Sequence, residues 1–234
     1  MPPNLIIIPT YNERENIEAL LTDILATGVP ADIAVVDDRS PDGTGEIVQA
    51  MAAKHPAVRL LAQSTRQGYG RSVLAGFKYA LANDYQITLT MDADFSHDPK
   101  YLVDILKSIE SGSDVTVGSR YVNGISVVNW PLSRLFLSVF ANRYVRAITG
   151  LPLSDCTTGY RAVRRAVLEA IDLESIRSNG YSFISEVNYR AYRHGFKLAE
   201  VPIIFVERRL GGSKMSLKVM MEAALMPWRL RLFG

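Results

Sequence analysis

An α/β fold, with a mostly parallel central sheet flanked by helices, is predicted from three observations. Short apolar, β-branched runs alternate with amphipathic stretches five times before residue 120, the rhythm of parallel strands joined by right-handed helical crossovers. Several runs close in acidic or turn-forming residues, which a parallel sheet gathers along the edge where such sheets bind ligands. The fourth run ends in Met91-Asp92-Ala93-Asp94, two carboxylates one residue apart on such a tip. With 234 residues and 48% apolar content, the chain is read as a single domain with a sizeable core.

Residues 4–9 are a continuous apolar run, the pattern of a strand buried on both faces. Pro9-Thr10-Tyr11-Asn12-Glu13 closes it. An amphipathic helix follows to about residue 26, with Ile17, Leu20, Leu21, Ile24 and Leu25 at helical spacing. Residues 33–36 are the second strand, ending in Asp37-Asp38; a turn at 40–43 leads to a helix reaching about residue 53. A third strand at 58–61, a helix at 69–81 and a fourth strand at 87–91 follow. Phe95-Ser96-His97-Asp98-Pro99 breaks that strand and opens a helix over 99–109, with Asp98 as N-cap and Pro99 first inside. A strand at 115–117 completes the alternation. Beyond Gly118 the rhythm changes. Residues 121–131 read as a polar and aromatic loop, 132–148 as a helix, 151–160 as a loop and 184–193 as a helix. Residues 196–205, interrupted by Pro202, read as one or two edge strands. Residues 208–214 are a basic loop, and 215–233 an apolar tail carrying scattered charges.

Composition excludes several classes. No stretch of 18 uncharged apolar residues is present, so no transmembrane helix is expected. The first residues run straight into a strand without a basic-then-apolar leader, and the single cysteine, Cys156, permits no internal disulfide; a cytoplasmic location is expected. A dinucleotide-binding turn would place Gly-x-Gly-x-x-Gly after the first strand, where Pro9–Glu13 stands instead, and no P-loop is present. Charge is divided unevenly. Residues 1–119 hold 9 Lys/Arg against 16 Asp/Glu, and 120–234 hold 17 against 8. An acidic half suits a cation; a basic half suits phosphate groups, nucleic acid or an anionic membrane.

Two hard carboxylates on a strand tip suit Mg²⁺ or Mn²⁺, ions that take one or two carboxylates together with substrate phosphates. Taken alone, Asp92 and Asp94 are equally a solvated turn. The neighbouring tips decide: Pro9-x-Tyr11-x-Glu13, Asp37-Asp38 and Gly118-Ser-Arg120 join Asp92-x-Asp94 on one sheet edge, a set able to grip a base, a ribose and a metal-bound diphosphate.

This combination resembles the inverting nucleotide-sugar glycosyltransferases of the GT-A fold, over nearly the whole chain. Within them it is most similar to the dolichol-phosphate mannose synthase, or polyprenol-phosphate mannosyltransferase, type. The motifs are Ile8–Asn16, Val35-Val-Asp-Asp38, Met91-Asp-Ala-Asp-Phe-Ser-His97, Gly118-Ser-Arg-Tyr121, Asn129-Trp-Pro131 and Val206-Glu-Arg-Arg-Leu-Gly-Gly-Ser-Lys214. The last two are the narrower ones and point to the lipid-phosphate branch. The resemblance implies that Pro9, Tyr11, Glu13, Val36 and Asp38 hold the nucleoside, while Asp92, Ala93 and Asp94 meet the diphosphate. Asp92 and Asp94 would hold the metal with Ser96, which stands where some members carry Gln. Arg120, Arg208 and Lys214 would contact phosphates, and Arg134 and Ser138 the acceptor's phosphate. Asp92, Asp94, Arg208 and Lys214 form the implied catalytic set. Residues 1–119 become the nucleotide and metal half and 120–234 the acceptor half.

The expected reaction moves a hexose, mannose from GDP-mannose first, to a polyprenyl or dolichyl monophosphate. That phosphate is anionic at neutral pH, with a second pKa near ~6, so it attacks the anomeric carbon without a protein base and inverts it. Asp155 and Glu186 are accordingly given a turn role and a helix-surface role, and His97 a place at a helix start. The rivals are a UDP-glucose:polyprenyl-phosphate transferase, a metal-dependent sugar nucleotidyltransferase, which Pro9–Glu13 argues against, and a silent binding module, which Asp92 and Asp94 argue against. The lipid acceptor and the two helices at 132–148 and 215–233 imply peripheral attachment to the cytoplasmic membrane face, directly or through a separate anchoring subunit, with no nucleic-acid partner.

Overall fold

The computed structural model describes residues 4–176, 178, 180–207 and 217–233, and the structural statements concern these. β1 (Asn4–Thr10), β2 (Ala31–Asp37), β3 (Val58–Ala62) and β4 (Ile87–Thr90) lie parallel in the order β3-β2-β1-β4. Helices α1 (Ile17–Ala26), α2 (Thr44–Lys54) and α3 (Tyr69–Ala82) are the predicted crossovers. β1 shows why its run is apolar throughout. Ile6 and Ile8 pack with Ile17, Leu21 and Val48, while Leu5 and Ile7 pack in a second core with Val73 and Phe77. Gly76 lets α3 approach β1 closely, since a Cβ there would lie 2.5 Å from Ile7 Cγ2.

The sheet is mostly parallel, as predicted, but after β4 its strand order departs from the chain order. α4 (Tyr101–Glu110) leads to β5 (Val115–Ser119), but β5 does not join β4. β7 (Arg161–Arg164) lies between them, antiparallel to both, and β8 (Leu198–Pro202) runs parallel to β5 at the edge. The order is β3-β2-β1-β4-β7-β5-β8, a mixed sheet drawing strands from both sides of residue 120. Arg-Ala-Val-Arg offers no apolar run, so β7 has no local signal. Arg161 is nevertheless buried, donating Nη1 to the Ile184 carbonyl (3.1 Å) and to Asn188 Oδ1 (3.2 Å). A parallel ribbon of β6 (Val127–Val128) and β9 (Phe205–Val206) occupies part of the stretch read as loop.

α5 (Leu132–Thr149), α7 (Gly180–Arg193) and α8 (Leu217–Phe233) match predicted helices; α6 (Arg165–Ala170) does not appear in the sequence reading. α4 begins at Tyr101 rather than at 99. Asp98 still organises its start, accepting the Lys100 amide on its side chain (3.0 Å) and the Tyr101 amide on its carbonyl (3.2 Å), with Pro99 and Lys100 as a turn.

Candidate active site

The tips of β1, β2 and β4 carry the expected acidic residues, each fixed in a particular way. Asp37 belongs to the scaffold: Thr10 Oγ1 and Ser40 Oγ donate to its Oδ1 (2.9 and 2.6 Å), and the Ser40 amide to its Oδ2 (2.9 Å). Asp38 is buried and accepts the amides of Gln67 (2.7 Å) and Gly68 (2.8 Å), which pins the loop ahead of α3 to the β2 tip. Glu13 Oε2 accepts Asn16 Nδ2 (3.0 Å). The Arg66 guanidinium lies 3.9 Å from the centre of the Tyr11 ring, a cation–π contact that sequence reasoning missed. Pro9 is half-buried, and Val36 is fully buried, so Val36 can meet a ligand only through its backbone.

Asp92 and Asp94 sit in a tight loop beyond β4, in which Phe95 takes a positive φ of 61°. Ser96 donates its amide (3.1 Å) and hydroxyl (2.5 Å) to Asp94 Oδ1, so its observed role is to orient that carboxylate. Ala93 is buried beneath the loop. His97, expected merely to begin a helix, is instead a support of the site. It is 1% exposed, and its Nδ1 accepts the Asp92 amide at 2.9 Å. Its ring stacks on Tyr160 (4.8 Å) and meets the Phe205 ring edge-on (5.8 Å). Burial holds its pKa below the ordinary histidine value against the pull of Asp92 and Asp94, which keeps Nδ1 an acceptor.

Gly159 completes this wall. Thr90 Oγ1 donates to its carbonyl (2.6 Å), and a Cβ on it would lie 2.4 Å from the Tyr69 hydroxyl and 3.3 Å from Asp92 Oδ1. Among the described residues no group of three or more His, Cys, Asp or Glu side chains could hold a metal. The site therefore offers a pair of carboxylates, which fits an ion completed by substrate phosphates and water.

Arg120 holds a carboxylate in the structure. Its Nε and Nη2, expected on a phosphate, form a buried bidentate pair with Asp155 (2.6 and 2.7 Å), and Nη2 also reaches Thr157 Oγ1 (2.8 Å). Burial works to raise the Asp155 pKa, but the Arg120 charge and hydrogen bonds outweigh it and hold it below the usual carboxylate range. Asp155 is thus a fixed anion in a turn. Glu186 is buried rather than on a helix surface. Arg190 Nη2 (2.7 Å) and Arg229 Nη2 (3.1 Å) both donate to it, tying α7 to α8. Cys156 is buried, which pushes its thiol up to about 12.

Beside the carboxylates, the β6–β9 ribbon presents an aromatic and cationic wall. Trp130 meets Phe205 edge-on (5.3 Å), and the Arg134 guanidinium lies 4.2 Å from the Trp130 ring centre while pairing with Glu207. Ser138, one turn further along α5, accepts the Tyr121 hydroxyl (2.7 Å). Arg208 and Lys214 lie outside the described residues. The far side of α5 exposes Leu132, Phe136 and Phe140, each about two-thirds open, and α8 exposes Met221, Leu225, Trp228 and Leu232. Tyr144 joins the two helices, accepting Trp228 Nε1 (2.9 Å) and donating to the Ala224 carbonyl (2.8 Å). Met226 and Leu230 turn into the core. Among the described residues no helix is long and apolar enough to cross a membrane.

The sequence model of a family described as Glycosyl transferase family 2 matches residues 5–172. A polyprenol monophosphomannose synthase of Mycolicibacterium smegmatis is 46% identical over 213 residues, 91% of this chain and 80% of that protein. An undecaprenyl-phosphate mannosyltransferase of Micrococcus luteus is 44% identical over 221 residues, 94% of this chain and 90% of the relative. Among solved structures, glucosyl-3-phosphoglycerate synthase from Mycobacterium tuberculosis, in complex with Mn²⁺, UDP-glucose and phosphoglyceric acid, superposes with a TM-score of 0.70. It covers 97% of this chain and 79% of its own at 17% identity, a likeness of fold alone.

Proposed function

The chain belongs to glycosyl transferase family 2, and on that premise we propose that it transfers mannose from a nucleotide sugar to the phosphate of a polyprenol. The observation that carries this reading is the position of α5. One side of the helix carries Arg134, stacked on the Trp130–Phe205 pair that reaches His97 and through it the Asp92 amide, and Ser138, while the other exposes Leu132, Phe136 and Phe140. A phosphate at the site can thereby belong to a chain that prefers an apolar phase. Residues 1–119 serve as the nucleotide and metal half of one catalytic domain, and 120–234 as the acceptor half.

In this reading Pro9, Tyr11, Glu13, the Val36 backbone and Asp38 hold the nucleoside, which is guanosine if the donor is GDP-mannose. Asp92 and Asp94 would hold Mg²⁺ or Mn²⁺, with Ser96 orienting Asp94; when bound, that ion supplies charge neutralisation at the leaving diphosphate. The acceptor phosphate is already an anion, so no side chain takes a proton from it. A bond forms from its oxygen to the anomeric carbon as the bond to the diphosphate breaks, and the centre inverts. Arg134, with Arg208 and Lys214, offsets the repulsion between two anionic substrates. Arg134 starts from Glu207, and the guanidinium's five donors let it take a phosphate without first losing that partner. The lipid acceptor implies work at a membrane surface, on its cytoplasmic face, with or without an anchoring subunit.

Calorimetry of GDP, GDP-mannose, UDP and UDP-glucose in the presence of Mn²⁺ tests the donor. Tighter binding of the guanosine pair supports the reading, and tighter binding of the uridine pair replaces GDP-mannose with UDP-glucose. Failure of a radiolabelled hexose to reach a polyprenyl phosphate from either GDP-mannose or UDP-glucose would overturn the function.

A further inference from the structure

We propose that the hollow at the C-terminal end of α5, between Arg143 and Arg146, receives the phosphate of an anionic membrane phospholipid that is not the acceptor. The inference rests on the membrane-surface reading above. The hollow has a volume of about 480 Å³, and Arg143, Arg146, Ala147, Gly150, Leu151 and Pro152 line it. Both arginines are exposed. Neither forms an ion pair with a described residue, whereas Arg120, Arg134, Arg165, Arg190 and Arg229 each pair with a carboxylate.

Two cations near a helix C-terminus have a simpler explanation in the helix dipole. That accounts for Arg146, which lies in the last turn and whose carbonyl accepts the Gly150 amide at 2.9 Å. It does not account for Arg143, nor for the shallow, open hollow beside the pair. The position of Arg143 on the helix supplies the missing reason. At 100° per residue, Arg143 falls on the same stripe as Leu132, Phe136 and Phe140. The exposed face of α5 is thus apolar over its first half and cationic toward its end. That is the pattern of a helix lying in the headgroup plane, its apolar side chains below the phosphates and its cations level with them. Arg146 lies twelve residues from Arg134, about 18 Å along the axis, so one phosphate cannot serve both positions. The protein would thereby hold the leaflet at two points, the acceptor phosphate at one end of α5 and a bulk lipid phosphate at the other.

The test compares wild type with Arg143→Gln/Arg146→Gln and Phe136→Ser/Phe140→Ser on vesicles of phosphatidylcholine alone and with added phosphatidylglycerol. The arginine variant should bind the anionic vesicles about thirty-fold more weakly, at ~1 kcal/mol for each cation near an anionic leaflet and tenfold for each ~1.4 kcal/mol. It should bind neutral vesicles as wild type does and retain wild-type turnover on a short, water-soluble polyprenyl phosphate. Unchanged binding of the arginine variant to anionic vesicles overturns the inference, while loss of binding in the phenylalanine variant would then leave membrane docking standing. If neither wild type nor any variant binds either vesicle, the docking reading itself fails. Competition by glycerol phosphate beyond that of chloride at equal ionic strength would assign the hollow to a soluble anion. Loss of turnover on the soluble acceptor would assign the arginines to acceptor binding. Either result refutes the proposal.

Discussion

Replacing His97 with leucine separates a residue that fills the core from one that positions the carboxylate loop. The change removes the acceptor for the Asp92 amide and leaves that donor orphaned, at a cost of ~1–3 kcal/mol. It also removes the stack on Tyr160 and the edge contact with Phe205, together ~1–3 kcal/mol if each is worth ~0.5–1.5. A loss of ~2–6 kcal/mol is therefore expected in urea unfolding. His97→Asn carries an oxygen near the place of Nδ1 and should recover the amide's share but not the ring's. If half of the amide's share appears in the transition state, kcat/KM falls about two- to tenfold in His97→Leu, at ~1.4 kcal/mol per tenfold. The Mn²⁺ concentration for half-maximal rate should rise in His97→Leu and return toward wild type in His97→Asn. The pH dependence carries a further sign. The folded-state pKa is depressed, so the unfolded chain takes the proton first, and wild type loses stability as pH falls below the unfolded value of 6.5. Both variants should lose that slope. His97→Leu with wild-type metal dependence, however unstable, would reduce His97 to a packing residue and refute the positioning argument.

Asp92→Ala and Asp94→Ala should each abolish transfer while the chain still folds, Asp94→Ala losing ~1–3 kcal/mol because the Ser96 amide and hydroxyl lose their acceptor; full activity in either, or in wild type with EDTA, would remove the metal from the reaction. Asp155→Asn leaves Arg120 charged and buried without its carboxylate, so ~3–5 kcal/mol of stability should be lost. Because the Asp155 pKa is depressed, its contribution is present above the unfolded carboxylate value of 3.8 and disappears as pH falls through the folded one; a wild-type acid limb in Asp155→Asn would contradict this. Gly159→Ala should lower activity by driving the Tyr69 hydroxyl and Asp92 apart, and Tyr69→Phe in the same chain should restore part of it by removing the atom at 2.4 Å; no rescue would mean that the clash is relieved elsewhere.

What the sequence discloses follows from how local each signal is. β1 and β2 are legible because a strand buried on both faces must be apolar at every position, as Leu5 through Ile8 are. β7 is not, because a buried central arginine, donating through Nη1 to Ile184 and Asn188, stands where the pattern requires an apolar residue. The carboxylates are legible as a short motif on a strand tip. Their supports are not, since His97 meets Tyr160 and Phe205 across long stretches of chain, and Gly159 meets Asp92 from a segment read as loop. Charge type is equally deceptive without a partner list: Arg120 reads as a free cation until Asp155 is placed against it, and Glu186 reads as a surface acid until α8 brings Arg229 to it.

The antiparallel insertion of β7 has a consequence for chemistry as well as for topology. Thr90 pairs with Arg161, and that register sets Gly159 and Tyr160 against the Asp92 loop. The β6–β9 ribbon then lays Phe205 on His97 and Trp130 on Phe205, and Arg134 lies over Trp130. A continuous series of contacts therefore runs from the carboxylates, which face the donor in the proposed reaction, to the guanidinium that faces the acceptor. A single displacement without a protein base leaves the enzyme little to supply beyond alignment and charge, and a misplacement of about 1 Å costs on the order of a hundredfold in rate. Rings packed edge to face and stacked cations hold such an alignment more rigidly than a loop of independent side chains, which is why aromatic residues span the distance between the two phosphate-handling ends.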